Sequence, residues 1–292
     1  MANIRGEHQR SPSPTTLRIC SHGVAEWSRL DGMGQLDDVR LSFNAVADVY
    51  DAVRPSYPPV LFDAMFQLLP SEPEIVEVGP GTGQATRELL ARGASVHAIE
   101  LGPAMASRLR SNLPLDRLRV TVADFEDADI PAASADAVFA ATAYHWITAP
   151  AQLNRPASIL RPGGLIAIFD LIQVDSPDDS GFFSAVQPVY ERNGQGHFGS
   201  PAPTRVHATP PIHDRLAQDD RFKHVSLHSC DWDQTYTASD YRKLMLSYSG
   251  TQSMNEHDRI RLLDDIEAIV EQDFDGRVVR PIVATLTSAS LA

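Results

Sequence analysis

The chain has 292 residues, 43% of them hydrophobic, enough to bury one large core or two small ones. Its formal net charge of −13 argues against DNA, RNA or an anionic membrane as the main partner, since each of those calls for a basic face. Cys20 and Cys230 are too few and too far apart for a disulfide framework or a zinc site, and no run of about 18 apolar residues marks a membrane span, so the expectation is a cytoplasmic protein with no metal.

Residues 1–41 mix Ser, Pro, Gly and charge without a sustained period and read as a flexible arm. Phe43, Val46, Ala47 and Tyr50 then recur at helical spacing, the Pro-rich run from Arg54 to Pro59 breaks that helix, and a second is expected over 60–69. Short apolar runs alternating with amphipathic stretches follow, which is the pattern of βα units and a parallel sheet covered on both faces. The expected strands are 75–78, 95–99, 118–122, 137–141 and 165–169, with a tight turn at Arg161-Pro162-Gly163-Gly164 before the fifth. Over 171–220 the rhythm fails in favour of Pro, Gly, His and Asp, and this stretch is expected to be a lid or substrate-binding insertion. A strand at 225–228, helices at 238–248 and 255–272, and a last strand at 278–286 close the chain. Hence 42–170 is expected to form the cofactor-binding core, 171–220 the lid, and 221–292 the part that completes the core.

The most informative run is Glu77-Val78-Gly79-Pro80-Gly81-Thr82-Gly83-Gln84, which joins a strand to a helix. Glycines at such a turn let a ligand approach the backbone, and the helix N-terminus offers unpaired N–H groups. The dinucleotide fingerprint wants its third glycine one place later, where Gln84 stands, and no Gly-Lys-Ser/Thr of a phosphate loop follows. What remains is a loop for a nucleoside without a phosphate tail. Glu77 would repel a pyrophosphate but attract the ammonium or sulfonium of S-adenosylmethionine. Glu100 ends the second strand, where a carboxylate can accept both ribose hydroxyl protons, and Asp124 ends the third, where it can accept from an adenine amino group with Phe125 beside it. Three acids at three successive strand ends say more than any one of them.

These residues, with Tyr144-His145-Trp146-Ile147 and Leu160-Arg161-Pro162-Gly163-Gly164, resemble the class I S-adenosylmethionine-dependent methyltransferases, and within them the small-molecule type 11 branch that includes trans-aconitate methyltransferase-like proteins. The resemblance is strong over about 43–170. It implies an α/β fold: a Rossmann-like seven-stranded, mostly parallel sheet with helices on both faces, the seventh strand antiparallel, and a helical lid after strand five. It implies further that Gly79, Gly81 and Gly83 lie against the cofactor's methionine part, with Glu77 near its amino group, Glu100 on the ribose, and Met105, Asp124 and Phe125 at the adenine. Pro80 and Ala141 complete that set, and Tyr50, Arg54 and Tyr57 belong to a pre-sheet segment that closes over the cofactor, where Arg54 can pair with its carboxylate.

Methyl transfer from a sulfonium needs alignment and exclusion of water more than acid–base help. His145, just after the fourth strand, is the candidate general base, though the His-Trp pair also resembles a structural, cofactor-covering feature. A carboxylate acceptor would need no base. Tyr57, Tyr144, Trp146, His197 and Tyr248 are the candidate substrate-binding residues, with Tyr144 and Trp146 reading equally as core. The expected activity is methylation of a small-molecule acceptor, with oxygen of a carboxylate or hydroxyl favoured. A NAD-dependent oxidoreductase and a non-catalytic nucleoside sensor are the alternatives.

Overall fold

The computed structural model describes residues 56–174, 181–193, 204–252 and 254–292. Tyr50, Arg54, Cys20 and His197 lie outside them.

Nine strands are described: β1 (Glu74–Val78), β2 (Ser95–Glu100), β3 (Leu118–Val122), β4 (Ala135–Ala141), β5 (Leu160–Gln173), β6 (Phe222–Asp231), β7 (Gln234–Thr237), β8 (Arg277–Arg280) and β9 (Ile282–Leu291). Seven of them form one sheet in the order β3-β2-β1-β4-β5-β9-β6, and β7 with β8 makes a separate antiparallel ribbon. β1 to β5 run parallel, while β9 is antiparallel to both its neighbours, in register Gln173↔Ile282 to Leu165↔Ser290 with β5. This is the Rossmann-like, seven-stranded, mostly parallel sheet that the resemblance implies.

Buried apolar residues alternate along the strands to build two cores. Helices α1 (Pro59–Phe66), α2 (Gln84–Ala91) and α3 (Pro103–Asn112) cover one face, where Phe62 meets Phe169 edge-on at 4.8 Å between centroids. Helices α4 (Ala151–Ile159) and α6 (Pro211–Ala217) cover the other, through Ile159, Ile212 and Leu216. A third core lies outside the sheet: α5 (Phe182–Arg192), α7 (Ala238–Leu246) and α9 (Glu256–Asp273) pack with the β7–β8 ribbon around Phe182, Tyr190, Tyr241 and Leu262. A short helix, α8 (Ser249–Gln252), links α7 to α9. This accessory layer draws on both sides of residue 220, so a boundary there divides elements that share one core. The reason is that α7 and α9 place their apolar faces on α5, not on the sheet.

Two local expectations are corrected. The stretch 278–286 is two strands, because Pro281 has no N–H for a ladder: β8 pairs with β7, and β9 enters the main sheet. Arg161–Gly164 forms no separating turn but a bulge within β5, marked by the register shift between Ala135 and Ala137 on β4 and by the left-handed Gly163 (φ 77°). The described part of the insertion also contains α5 and α6, hidden from periodicity by Pro188 within α5 and the brevity of α6. Among the described residues no helix is long and apolar enough to cross a membrane.

Candidate active site at the carboxyl edge of the sheet

The loops after β1, β2, β3 and β4 all leave from the carboxyl edge of the parallel strands, the side on which open α/β sheets bind ligands. After β1 the chain turns through Gly79, Gly81 and Gly83, all left-handed (φ 62°, 60° and 104°), a conformation that glycine adopts without strain. The Gly83 N–H closes on the Pro80 carbonyl at 3.1 Å, and α2 begins at Gln84. The three glycines have different duties. A Cβ on Gly83 would meet Leu109 Cδ1 at 2.7 Å, and one on Gly79 would meet Ala143 Cβ at 2.7 Å, so both are also demanded by packing against the chain itself.

Glu77 is the penultimate residue of β1 and points to the α2 side. It is buried; Thr86 Oγ1 donates to its Oε2 at 2.7 Å, while Oε1 has no partner among the described residues. Burial pushes its carboxyl up to about 8, against the lowering by Thr86 and with some help from nearby Glu100. An unpartnered buried carboxylate oxygen behind a glycine loop fits a cationic ligand group.

Glu100 ends β2 and ties the loops together: the Gly81 N–H donates to its Oε2 at 3.0 Å and the Gly102 N–H to its Oε1 at 2.8 Å. The carboxylate expected on a ribose therefore also fixes the glycine loop in place. Met105 is buried on α3 beside it. Asp124, half-buried after β3, accepts the Glu126 N–H at 2.9 Å, and Phe125 is buried in the sheet core with the Arg155 guanidinium 5.6 Å from its ring centre.

Ala141, the last residue of β4, is half-buried, and Thr142 after it takes a left-handed turn (φ 50°) with its hydroxyl 2.6 Å from that of Tyr57. Tyr57, placed in sequence with the substrate residues, is thus anchored to the loop after β4 and packed 6.0 Å from Phe169. A single 3₁₀ turn holds Tyr144, His145 and Trp146. His145 and Trp146 are half-buried with ring centres 5.0 Å apart. Of the two readings of Tyr144 the structure shows the core one: its ring is buried and its hydroxyl donates to the Gln152 carbonyl at 2.6 Å, while Gln152 Nε2 returns a bond to the Tyr144 carbonyl at 3.1 Å. It holds the turn from within. Tyr248 lies in the accessory layer, where its hydroxyl accepts from Arg280 Nη1.

Thr86 and Arg280 escaped the sequence reading. A Thr one turn into α2, opposite an acid in β1, was the available signal for the first. For the second there was only an Arg before a Pro.

The comparisons with known proteins support a methyltransferase. Residues 76–168, from β1 to β5, match the family model described as a methyltransferase domain. Relatives agree. An uncharacterized methyltransferase of Mycobacterium tuberculosis is 28% identical over 234 residues, covering 80% of this chain and 87% of the relative. The malonyl-[acyl-carrier protein] O-methyltransferase of Halorhodospira halophila is 36% identical over 135 residues, 44% of this chain and 46% of that one. A solved structure assigned as a type II methyltransferase from Anaeromyxobacter dehalogenans has the same fold, with a TM-score of 0.55 at 20% identity over 81% of this chain and 97% of that one.

Proposed function

We propose that this methyltransferase uses S-adenosylmethionine to methylate a small-molecule acceptor, at an oxygen of a carboxylate or hydroxyl, as in the small-molecule type 11 branch. The observation that carries the cofactor is Glu77 Oε1, a buried carboxylate oxygen without a partner at the foot of the glycine loop. Bound there, the cofactor supplies an electrophilic methyl group on sulfur. Glu77 would meet its ammonium group, Glu100 its ribose, and Asp124 with Met105 its adenine. Gly79 to Gly83 leave the backbone accessible to it, and Tyr50 and Arg54 would close over it.

The chain's own task is then positional. Glu100 fixes the glycine loop, and Tyr144 and Gln152 fix the turn carrying His145 and Trp146. His145 removes a proton only if the acceptor is a hydroxyl; a carboxylate is already ionised at neutral pH. Oxygen as the accepting atom is supported by the O-methyltransferase among the relatives.

Calorimetric titration tests the cofactor: binding of S-adenosylhomocysteine and none of NAD is expected, and the reverse would sink the reading. For the acceptor, metabolite extract is incubated with methyl-labelled S-adenosylmethionine and the products are treated with alkali. Volatile labelled methanol identifies a methyl ester; an alkali-stable product is identified by ¹³C NMR of its labelled methyl, where an ether supports the reading and label on nitrogen or carbon would refute an oxygen acceptor.

A further inference from the structure

Arg280 is buried at the end of β8, and among the described residues no carboxylate forms an ion pair with it. Elsewhere Arg92, Arg161, Arg205 and Arg242 each pair with acids, and all of these are at least partly exposed. Arg280, only 8% exposed, has neutral partners instead: Nη1 donates to the Tyr248 hydroxyl and Nη2 to Gln173 Oε1. Its Nε is buried and donates to no group among the described residues. The guanidinium carbon lies 5.7 Å from the Phe183 ring centre and 5.9 Å from that of Tyr248. Aromatic faces and amide oxygens ease the burial of a cation but do not neutralise it, and a buried charge lacking its counter-charge is costly.

The place of this cation is as informative as its isolation. Gln173 is the last residue of β5, and the register pairs it with Ile282, two residues after Arg280. The guanidinium therefore lies at the carboxyl edge of the sheet, the edge that carries the glycine loop, Glu100 and Thr142. It stands on the β5–β9 side: β5 is about two strand spacings, roughly 10 Å, from β1 across the sheet, and Gln173 lies a further roughly 16 Å along the strand beyond Ile168, the residue level with Val78 at the end of β1. Around it the accessory layer supplies the ring of Phe183 and the phenol of Tyr248.

We propose that Arg280 binds a carboxylate of the methyl acceptor through its Nε side, with Gln173 and Tyr248 holding the guanidinium in position. This rests on the reading of the carboxyl edge as the site of methyl transfer. One planar guanidinium matches one carboxylate in charge and in fork geometry, whereas a phosphate dianion calls for further positive charge. The acceptor is accordingly a small carboxylic acid with an apolar or aromatic body.

The test uses the full chain saturated with S-adenosylhomocysteine, so that failure to bind this ligand reports against the methyltransferase reading and not against Arg280. Malonate, glutarate and benzoate are titrated beside their amides and inorganic phosphate, and the Arg280 Nε–H resonance, assigned by its loss in Arg280→Lys, is followed by ¹⁵N NMR. At least one acid should bind more than tenfold tighter than its amide and tighter than phosphate, and should shift that resonance. In Arg280→Gln the acid should lose more than tenfold in affinity, with S-adenosylhomocysteine within about threefold of the parent. If that variant does not fold, the comparison of acid with amide and the resonance in the parent still decide. Equal binding of acid and amide, tighter binding of phosphate, an unmoved resonance, or a large loss of S-adenosylhomocysteine affinity on substitution would each overturn the proposal.

Discussion

Thr86 Oγ1 donates to Glu77 Oε2 at 2.7 Å, and this single bond leaves the other oxygen of a buried carboxylate unpartnered beneath the glycine loop. Burial holds the Glu77 carboxyl up near 8, so at neutral pH the ligand-free protein is largely protonated there. A cationic ligand favours the ionised form. Cofactor binding near neutral pH should then release a proton, and affinity should rise about tenfold from pH 6 to pH 7, below the range in which the ligand's own ammonium titrates, since the ionised fraction of Glu77 grows by about that factor there. Glu77→Gln should bind more weakly and lose this part of the pH dependence. Calorimetry in buffers of different ionisation enthalpy measures the proton directly; a profile unchanged by the substitution would contradict the role.

Gly83→Ala should destabilise the fold by about 2–4 kcal/mol, combining a left-handed backbone for a residue with a Cβ and a collision with α3. The added Cβ would lie 2.7 Å from Leu109 Cδ1 and 2.9 Å from Leu113 Cδ1. Urea unfolding gives the loss, and a change below 0.5 kcal/mol would show that α2 and α3 can separate freely.

Tyr144 and His145 are neighbours with different fates. Tyr144→Phe removes the donor to the Gln152 carbonyl and should cost about 1–3 kcal/mol of stability, with little effect on kcat below the unfolding temperature. His145→Ala should lower kcat less than tenfold if the acceptor oxygen is a carboxylate. A loss of about 10²–10⁴ would assign it as a general base acting on a hydroxyl. The pair is read by thermal unfolding and by steady-state kinetics on the acceptor found in extract.

Asp170 in β5 is buried, and burial pushes its carboxyl up to about 6, above the ordinary range near 3.9. The native state therefore binds more protons than the unfolded chain between those values, so this residue's contribution to stability falls as pH rises from about 4 to 6. Asp170→Asn should be more stable than the parent at pH 7.5, by up to about 3 kcal/mol, and nearly equal to it at pH 4. Denaturant midpoints at the two pH values check the sign, and a variant less stable at pH 7.5 would point to an ionised Asp170 with a partner.

Much of this protein is local in origin. The short apolar strands β1 to β5, the glycine loop between β1 and α2, and the acids Glu77, Glu100 and Asp124 at or near successive strand ends follow from periodicity, turn chemistry and charge, which act over a few residues and can be read along the chain. Tertiary structure decided what depends on distant pairing. Pro281 split one apolar run between two sheets, and Gln152 drew Tyr144 into the core. Phe125 became sheet core, and α7 and α9 were assigned to α5 instead of the sheet. Gln173 and Arg280, 107 positions apart, met at the carboxyl edge. Burial and the partner of a polar group are properties of the assembled chain, because they are set by whichever element arrives from elsewhere; no local spacing encodes that an arginine will be enclosed without an acid.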